Sequence, residues 1–238
     1  MSLNYLLQSM KFFKKKSSRK ILLLVGRDNW QRDDSVNNIL LKNLKQKNIQ
    51  IKWEDPVGRY TYKLRRFEQK NKWIPTSVKK YNFRLVLFIY SIFHWNYFNY
   101  LKGRKNPSIE LRCEKLKKTI LELGKENEII ILSRSSGGRI SSLIADELNL
   151  QYIICLGYPF KNPLNEKEPS RYLHLQNLRT KMLIIQGSKD EYGDLEIENE
   201  YVLSPSTELL FVEGNHDFEI SEKDWGKVFV KINKIIES

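Results

Sequence analysis

The sequence of 238 residues is poor in the side chains that cross-link a fold or bind a metal. It has two cysteines, Cys113 and Cys155, and each lies in an apolar or helical pattern. We therefore expect packing residues in a reducing compartment, with no disulfide framework. The three histidines have no closely spaced ligand partners, so the sequence predicts neither a metal site nor a bound cofactor.

The first 20 residues also lack the order of a secretory signal. Their basic residues follow the apolar stretch, and no small-residue cleavage site comes after it. We therefore expect a cytoplasmic protein. A short helix followed by basic residues is also suited to contact an anionic membrane, although we favour a solvated tail.

Acidic side chains are scarce in the first half of the chain. Residues 1–110 contain 24 Lys and Arg against 7 Asp and Glu, whereas residues 111–238 contain 17 against 21. The formal net charge is +13. A basic half favours an anionic partner, such as a phosphate, an anionic membrane or a nucleic acid. No other nucleic-acid motif accompanies this charge, so we rank nucleic acid low.

Strand-like runs, most of them continuously apolar and that at residues 49–55 alternating, are interspersed with amphipathic helical patterns. The strand-like runs are residues 20–26, 49–55, 128–133, 151–160, 181–187 and 207–214. The helical patterns are residues 33–48, 109–127, a segment from about residue 139, and 221–237. This alternation predicts a mostly parallel sheet of about six strands covered by helices on both faces, in a three-layer α/β sandwich. We expect a single domain over residues 1–238.

A dense group of small residues follows the third strand-like run. Ser133-Arg134-Ser135-Ser136-Gly137 matches the nucleophile-elbow pattern Gly-x-Ser-x-Gly, with serine at the first position. In an elbow the central serine lies on a sharp strand-to-helix turn that exposes its hydroxyl. The alternative is an ordinary or phosphate-binding turn rich in Gly and Ser. The pattern makes Ser135 the candidate nucleophile.

An acid and a base follow in the order that an elbow requires. Asp190 comes after the strand-like run 181–187, and His216 comes after the run 207–214. A serine hydroxyl is a weak nucleophile, and it needs a base that an acid orients. Because each of the three residues follows its own predicted strand, the order Ser135, Asp190, His216 is much more specific than the elbow alone.

Other groups nearby fit these roles less well. Glu191 and Asp194 are alternatives for the acid, but they lie further from the turn. Asp217 follows the histidine too closely to orient its ring, and we expect it to be a surface or capping residue. His174 fits a helix surface or a packed position better than a catalytic one.

The second half of the chain resembles the α/β-hydrolase superfamily. The similar stretches are LSRSSGGRISSLIADEL, CLGYPFKNPLNEKEPSRYLHLQNL, KMLIIQGSKDEYGD and VEGNHDFE, within residues 128–219. More narrowly, the sequence looks like the small dienelactone-hydrolase-like branch and the hydrolase-like domain of the NSL-complex regulatory subunit. The resemblance implies Ser135 as nucleophile, Asp190 as acid and His216 as base, with no cofactor.

The residues after the first strand depart from the family pattern. Many relatives carry His-Gly there, beside the oxyanion hole, where this chain has Val25-Gly26-Arg27-Asp28. The hole needs backbone N–H groups rather than that side chain, so we assign it to the amides of Ser136 and of Arg27 or Asp28. A charged pair beside a reaction centre is unusual, and it is the reason to consider an altered or lost activity.

An insertion at about residues 57–105 follows the second strand. It contains 12 Lys and Arg, one acidic residue and 13 of the 28 aromatic residues. Residues 84–101 are almost wholly apolar, a length that only just reaches a membrane span. In decreasing order of preference, the insertion is a lid or side element packed on the core, a membrane-interface helix, or a spanning helix.

Taken together, the patterns predict a serine hydrolase that cleaves a carboxylic ester or thioester through an acyl-enzyme. The basic half and the apolar insertion favour a small-molecule or lipid-like substrate that is amphiphilic or anionic. The alternative is a non-catalytic α/β-hydrolase-like module whose insertion engages a membrane or protein partner. The sequence gives no indication of the oligomeric state.

Overall fold

The structure, a computed structural model, describes residues 19–26, 39–44, 49–55, 67, 70–93, 108–164 and 168–238. Six parallel strands form one sheet in the order β2–β1–β3–β4–β5–β6. The strands are β1 (Lys20–Val25), β2 (Gln50–Trp53), β3 (Glu128–Arg134), β4 (Leu150–Leu156), β5 (Met182–Gly187) and β6 (Thr207–Val212). The predicted sheet of about six mostly parallel strands is confirmed.

Helices of very different length accompany the sheet. The helices of the described residues are α1 (Leu41–Leu44), α2 (Thr76–Phe93), α3 (Ile109–Glu122), α4 (Ser136–Ile144), α5 (Ile197–Glu200) and α6 (Glu222–Glu237). The described residues also form three 3₁₀ turns, at Ala145–Glu147, Pro169–Arg171 and Leu173–Asn177.

Strands β1, β3 and β5 contain continuous apolar runs because both faces of the sheet are buried there. In β1, Leu22 and Leu24 belong to one apolar cluster, and Leu23 and Val25 belong to a second cluster on the other face. Helices α1 and α6 contribute their apolar side chains to the first cluster, and α3 and α4 contribute theirs to the second. The result is the three-layer α/β arrangement that the sequence predicts.

Several element boundaries differ from the sequence prediction by a few residues, and two of these differences have a clear local cause. Helix α4 begins at Ser136 rather than near residue 139, because it starts directly after the turn at Ser135. Strand β4 ends at Leu156 rather than at residue 160, because Gly157 takes a φ of +65° and turns the chain out of the sheet. Of the predicted helix 33–48, only residues 39–44 fall within the described part, and they contain α1.

Helix α2 lies within the predicted insertion and exposes large apolar side chains along one face. They are Val78, Tyr81, Leu85, Phe88, Ile89, Ile92 and Phe93, between 40% and 77% exposed. Spacings of three and four residues place them on the same side of the helix. No helix of the described residues is long and apolar enough to cross a membrane. Residues 94–101 of the apolar stretch lie outside the described residues.

Candidate active site

The turn between β3 and α4 holds Ser135 in an uncommon backbone conformation. Its φ is +48° and its ψ is −124°, a region that a residue with a Cβ atom rarely adopts. The conformation costs on the order of 1–3 kcal/mol, and such strain clusters at functional sites. The Ser135 amide donates a hydrogen bond to the carbonyl of Leu156 at 3.0 Å, which ties the turn to the end of β4.

The two glycines after the turn are required because atoms of β1 and β4 lie very close to them. A Cβ atom on Gly137 would lie 2.6 Å from the carbonyl oxygen of Val25 in β1. A Cβ atom on Gly138 would lie 2.2 Å from Sγ of Cys155 in β4. Because real Cβ atoms do not come so close, only glycine lets α4 sit directly on the sheet with Ser135 above its edge.

His216 lies between Ser135 and Asp190 and contacts both. Its Nε2 is 3.0 Å from Oγ of Ser135, and its Nδ1 is 2.9 Å and 3.0 Å from the two carboxylate oxygens of Asp190. Ser135 follows β3, Asp190 follows β5 and His216 follows β6, so the three side chains meet at the carboxyl ends of strands in one parallel sheet. The structure thus brings together the three residues that the sequence singles out.

Asp190 is held in place by donors on its far side. The carboxyl group is buried, and it accepts hydrogen bonds from the Tyr192 amide at 2.8 Å and from Nε2 of Gln186 at 2.7 Å. Gln186 is itself fully buried in β5, and its Oε1 accepts a hydrogen bond from the Tyr158 amide. These contacts fix the carboxylate toward the imidazole. Sequence reasoning missed Gln186, although an amide in the apolar run KMLIIQG was a signal.

A second residue that sequence reasoning missed is Arg134, next to the candidate nucleophile. Its guanidinium is buried, with Nη2 donating to the carbonyl of His216 at 3.3 Å and lying 3.4 Å from Asp217 Oδ1. Its Cζ stands 5.6 Å from the ring centre of Phe218. Arg134 therefore anchors the loop that presents the histidine. A basic residue ending a buried strand was the available signal.

Of the expected oxyanion donors, the Ser136 amide lies within the described residues and the second donor does not. The Ser136 amide opens helix α4 beside the nucleophile, where helical N–H groups have no partner within the helix. Among the described residues, no hydrogen bond from that amide occurs, while the Ser136 hydroxyl accepts one from Arg112 at 3.3 Å. Arg27 and Asp28 lie outside the described residues, so the second donor stays a sequence-based expectation.

The alternatives for the acid lie elsewhere. Asp194 forms an ion pair with Lys161 at 3.7 Å. Asp217 is exposed and contacts Arg134 rather than the imidazole, as expected for a surface residue. Glu191 lines the cavity beside the site but does not contact the imidazole.

A different Ser–His contact lies in the protein interior. Ser142 Oγ is 2.8 Å from Nε2 of His174, and the serine also donates to the carbonyl of Arg139 within its own helix. Burial, reinforced by the positive charge of Arg139, lowers the pKa of His174 to about 4. In the described part of the chain, no carboxylate contacts this imidazole. His174 is therefore neutral at pH 7 and joins α4 to the 3₁₀ turn, in a packed position, one of the two that the sequence predicts.

A cavity of about 450 Å³ opens beside the Ser135 hydroxyl and the His216 ring. This volume falls in the range of small-molecule sites. The ring of Tyr192 lies 4.4 Å from that of His216 and forms one wall, and arginines from three segments form another. In the residues that the structure describes, no group of three or more His, Cys, Asp or Glu side chains is arranged to hold a metal ion.

Comparison with known proteins identifies the family. The model of the family described as "Alpha/beta hydrolase domain" matches residues 68–235, well over half of the chain. The protein therefore belongs to the alpha/beta hydrolases. The wider superfamily resemblance of the sequence is confirmed. No curated protein sequence matches significantly.

Several solved structures share the fold at low sequence identity. A metagenome-derived lipolytic enzyme has 11% identity and a TM-score of 0.54, over 93% of this chain and 95% of that one. The thioesterase domain from the curacin biosynthetic pathway has 9% identity and a TM-score of 0.54, over 92% of each chain. The esterase domain of a Rhodothermus marinus protein has 9% identity and a TM-score of 0.52, over 93% and 88%. At such identities the likeness concerns the fold alone.

Proposed function

We propose that this protein is a serine hydrolase that cleaves a carboxylic ester or thioester through an acyl-enzyme. The observation that carries the proposal is the chain of contacts from the Ser135 hydroxyl through His216 to Asp190, at the wall of a 450 Å³ cavity. Esterase, lipolytic and thioesterase structures share the fold, which agrees with an ester or thioester substrate without selecting one.

Each of the three side chains has a defined step in this mechanism. Oγ of Ser135 attacks the carbonyl carbon while Nε2 of His216 takes the hydroxyl proton. Asp190 accepts the Nδ1–H bond, which fixes the tautomer and stabilises the imidazolium that forms. The imidazolium then gives its proton to the leaving alcohol or thiol. Water, activated by the same imidazole, attacks the acyl-enzyme and releases the acid.

The oxyanion of each tetrahedral intermediate needs donors beside the serine. We propose that the amide of Ser136 and the amide of Arg27 supply them. The first position is supported by its place at the N-terminus of α4, where the helix dipole also favours negative charge. Removing one oxyanion-hole donor typically lowers kcat by about 10²–10³-fold.

The experiment that tests this proposal is hydrolysis of p-nitrophenyl acetate and butyrate and of an acyl thioester, by purified wild-type protein and single variants. Ser135→Ala should lose at least about 10³-fold in rate. Ser142→Ala is the matched control, because it removes the hydroxyl of the other Ser–His contact, and it should keep activity within a few-fold. Loss in the control with retention in Ser135→Ala would reject the assignment.

We also make proposals about the domain organisation, the family branch and the location of the protein. We propose one domain over residues 1–238 with an insertion at about 57–105, and the single sheet supports this. The quoted motifs support a place near the dienelactone-hydrolase-like and NSL-subunit branch of the family. We also propose a cytoplasmic location, which the free thiols of Cys113 and Cys155 support because they suit a reducing compartment.

The exposed face of α2 favours a second candidate function, attachment to an anionic membrane surface. Apolar patches of this kind are uncommon on soluble monomers and mark interaction sites. Charge favours a membrane, because Glu68 is the only acidic residue between Asp55 and Glu110 while Arg84 is exposed on α2 itself. In a non-catalytic module this contact would be the function, and in an enzyme it would deliver the protein to its substrate.

Sedimentation with lipid vesicles tests the membrane contact. Vesicles with anionic lipid should bind the protein at least about tenfold more tightly than neutral ones, and salt should weaken the binding. The double variant Phe88→Ser/Ile92→Ser should bind at least about tenfold more weakly, because each side chain loses roughly 1.5–3 kcal/mol of apolar burial. Val230→Ser, an exposed valine on α6, is the matched control. Equal sedimentation of both variants, or dimer formation through α2, would refute the membrane proposal.

A further inference from the structure

Arginines crowd one wall of the cavity that contains the candidate nucleophile. Arg112 comes from α3, Arg139 from α4 and Arg171 from the neighbouring 3₁₀ turn, and all three line the same space as Ser135. Arg171 is already neutralised, because Glu168 accepts from its Nε at 2.8 Å and from its Nη2 at 3.2 Å. Arg139 adds a positive charge to this wall that Glu168 does not contact.

Arg139 is buried without a counter-ion among the described residues. It is only 9% exposed, and Nη2 donates to the carbonyl and the hydroxyl of Ser170 at 3.3 Å and 3.0 Å. Its Nε atom is buried and has no hydrogen-bond partner in the described structure. Burial, followed by the charge of Arg171, lowers the pKa of Arg139. A buried guanidinium without a counter-ion raises the free energy of the folded protein, and buried cations ordinarily pair with an anion.

The guanidinium of Arg139 lies near the candidate nucleophile. Arg139 lies in the first turn of α4, four residues after Ser135, and both residues line the cavity. Arg112 donates to the hydroxyl of Ser136 at 3.3 Å, which places its guanidinium against the same turn. Glu191 and Asp217 also line the cavity, and their charges disfavour an anion near them.

We propose that Arg139, assisted by Arg112, binds an anionic group of the substrate, a carboxylate or a phosphate carried on the acyl side or the leaving-group side of the scissile bond. The inference rests on the proposed hydrolase function and names its substrate class, an acidic ester or thioester. The guanidinium is suited to this role because its planar donors match carboxylate and phosphate oxygens.

Matched substrates test this specificity. The anionic p-nitrophenyl esters are the monosuccinate and the 3-phosphonopropionate, and the neutral reference is the butyrate. Wild-type protein should show a kcat/KM at least tenfold higher for an anionic ester than for the neutral one, and the two anionic esters distinguish carboxylate from phosphate binding. Arg139→Gln should raise KM for the preferred anionic ester by roughly 10–100-fold and change the neutral ester by less than about threefold.

Controls separate recognition from structure. Arg139→Lys should restore part of the preference because it keeps the charge, and Arg179→Gln should leave it intact because Arg179 is exposed and pairs with Asp146. An equal loss on neutral and anionic esters in Arg139→Gln would assign the residue a structural role and overturn the proposal. Absence of any preference in the wild-type protein would also overturn it.

A binding assay keeps this inference distinct from the proposed catalysis. In Ser135→Ala, which cannot form an acyl-enzyme, succinate or 3-phosphonopropionate should raise Tm in a concentration-dependent way. The shift should disappear in Ser135→Ala/Arg139→Gln and persist in Ser135→Ala/Arg179→Gln. A shift in Ser135→Ala together with no ester hydrolysis by the wild-type protein would support the anion site and reject the hydrolase function. No shift with either anion would reject the anion site whatever the catalytic result.

Discussion

Replacing Gly138 by alanine tests how the elbow helix is seated on the sheet. The new Cβ atom would lie 2.2 Å from Sγ of Cys155, 3.1 Å from its Cβ and 3.2 Å from Cδ2 of Tyr158. Cys155 is fully buried in β4, so its sulfur has no solvent to move into. The helix must therefore shift away from the strand, and it carries Ser135 and the Ser136 amide with it.

Two opposing effects set the change in the free energy of unfolding of Gly138→Ala. Overpacking in a dense core costs about 3 kcal/mol for so short a contact, and alanine regains roughly 0.5–1 kcal/mol over glycine within a helix. The free energy of unfolding should fall by about 2 kcal/mol. Cys155→Ala alone should cost about 1 kcal/mol for the small void it leaves. Because that change removes the shortest contact, the double variant should also cost only about 1 kcal/mol, a coupling of about 2 kcal/mol.

Urea unfolding, monitored by circular dichroism, gives the free energy of unfolding of the wild type, both single variants and the double variant. Ester hydrolysis gives their activity. We expect Gly138→Ala to lose activity and the double variant to regain most of it. Additive free energies, with a coupling below about 0.5 kcal/mol, would show that the glycine does not serve contact with β4. If the double variant regains stability but not activity, the packing of α4 on the sheet does not control the geometry of Ser135.

The remaining predictions concern three side chains around the site. Asp190→Asn should lower kcat by about 10³–10⁴-fold with little change in KM, because the imidazole loses its orienting carboxylate, and steady-state kinetics measure this. Arg134→Met should keep the fold but lower kcat by roughly 3–30-fold, because the loop carrying His216 loses its anchor, whereas an unchanged kcat would contradict that role. His174 has a folded pKa of about 4, below the value near 6.5 expected for the unfolded chain, so only the unfolded state gains this proton between those pH values. The free energy of unfolding should therefore fall as pH decreases from 6.5 to 4, by roughly 1–2 kcal/mol after allowance for partial exposure, and urea titrations of His174→Gln should show a smaller fall.

The fold was predictable because its signals are local. Most strands contain a continuous apolar run, as in Ile129–Leu132, and these strands alternate with amphipathic helices. The errors fell at the turns. The start of α4 at Ser136 depends on how the turn packs on β1 and β4, which no short stretch of sequence encodes.

The candidate site was predictable only in part, for a related reason. Ser135, Asp190 and His216 follow strand ends in the order that an elbow fold requires, and the structure places them in contact. Their catalytic roles, and that of the Ser136 amide, stay predictions. Arg134 and Gln186 were missed because their importance lies in contacts with segments far along the chain.

The most direct measurement of the central claim is labelling with a fluorophosphonate probe, followed by peptide mass spectrometry. Such probes react with a serine that a neighbouring base activates. The account predicts labelling of wild-type protein at Ser135, no labelling of Ser135→Ala, and labelling slowed by at least about 10²-fold in His216→Ala, with Ser142→Ala labelled normally. Folded wild-type protein that stays unlabelled with and without anionic vesicles, or labelling that persists in Ser135→Ala, would contradict it.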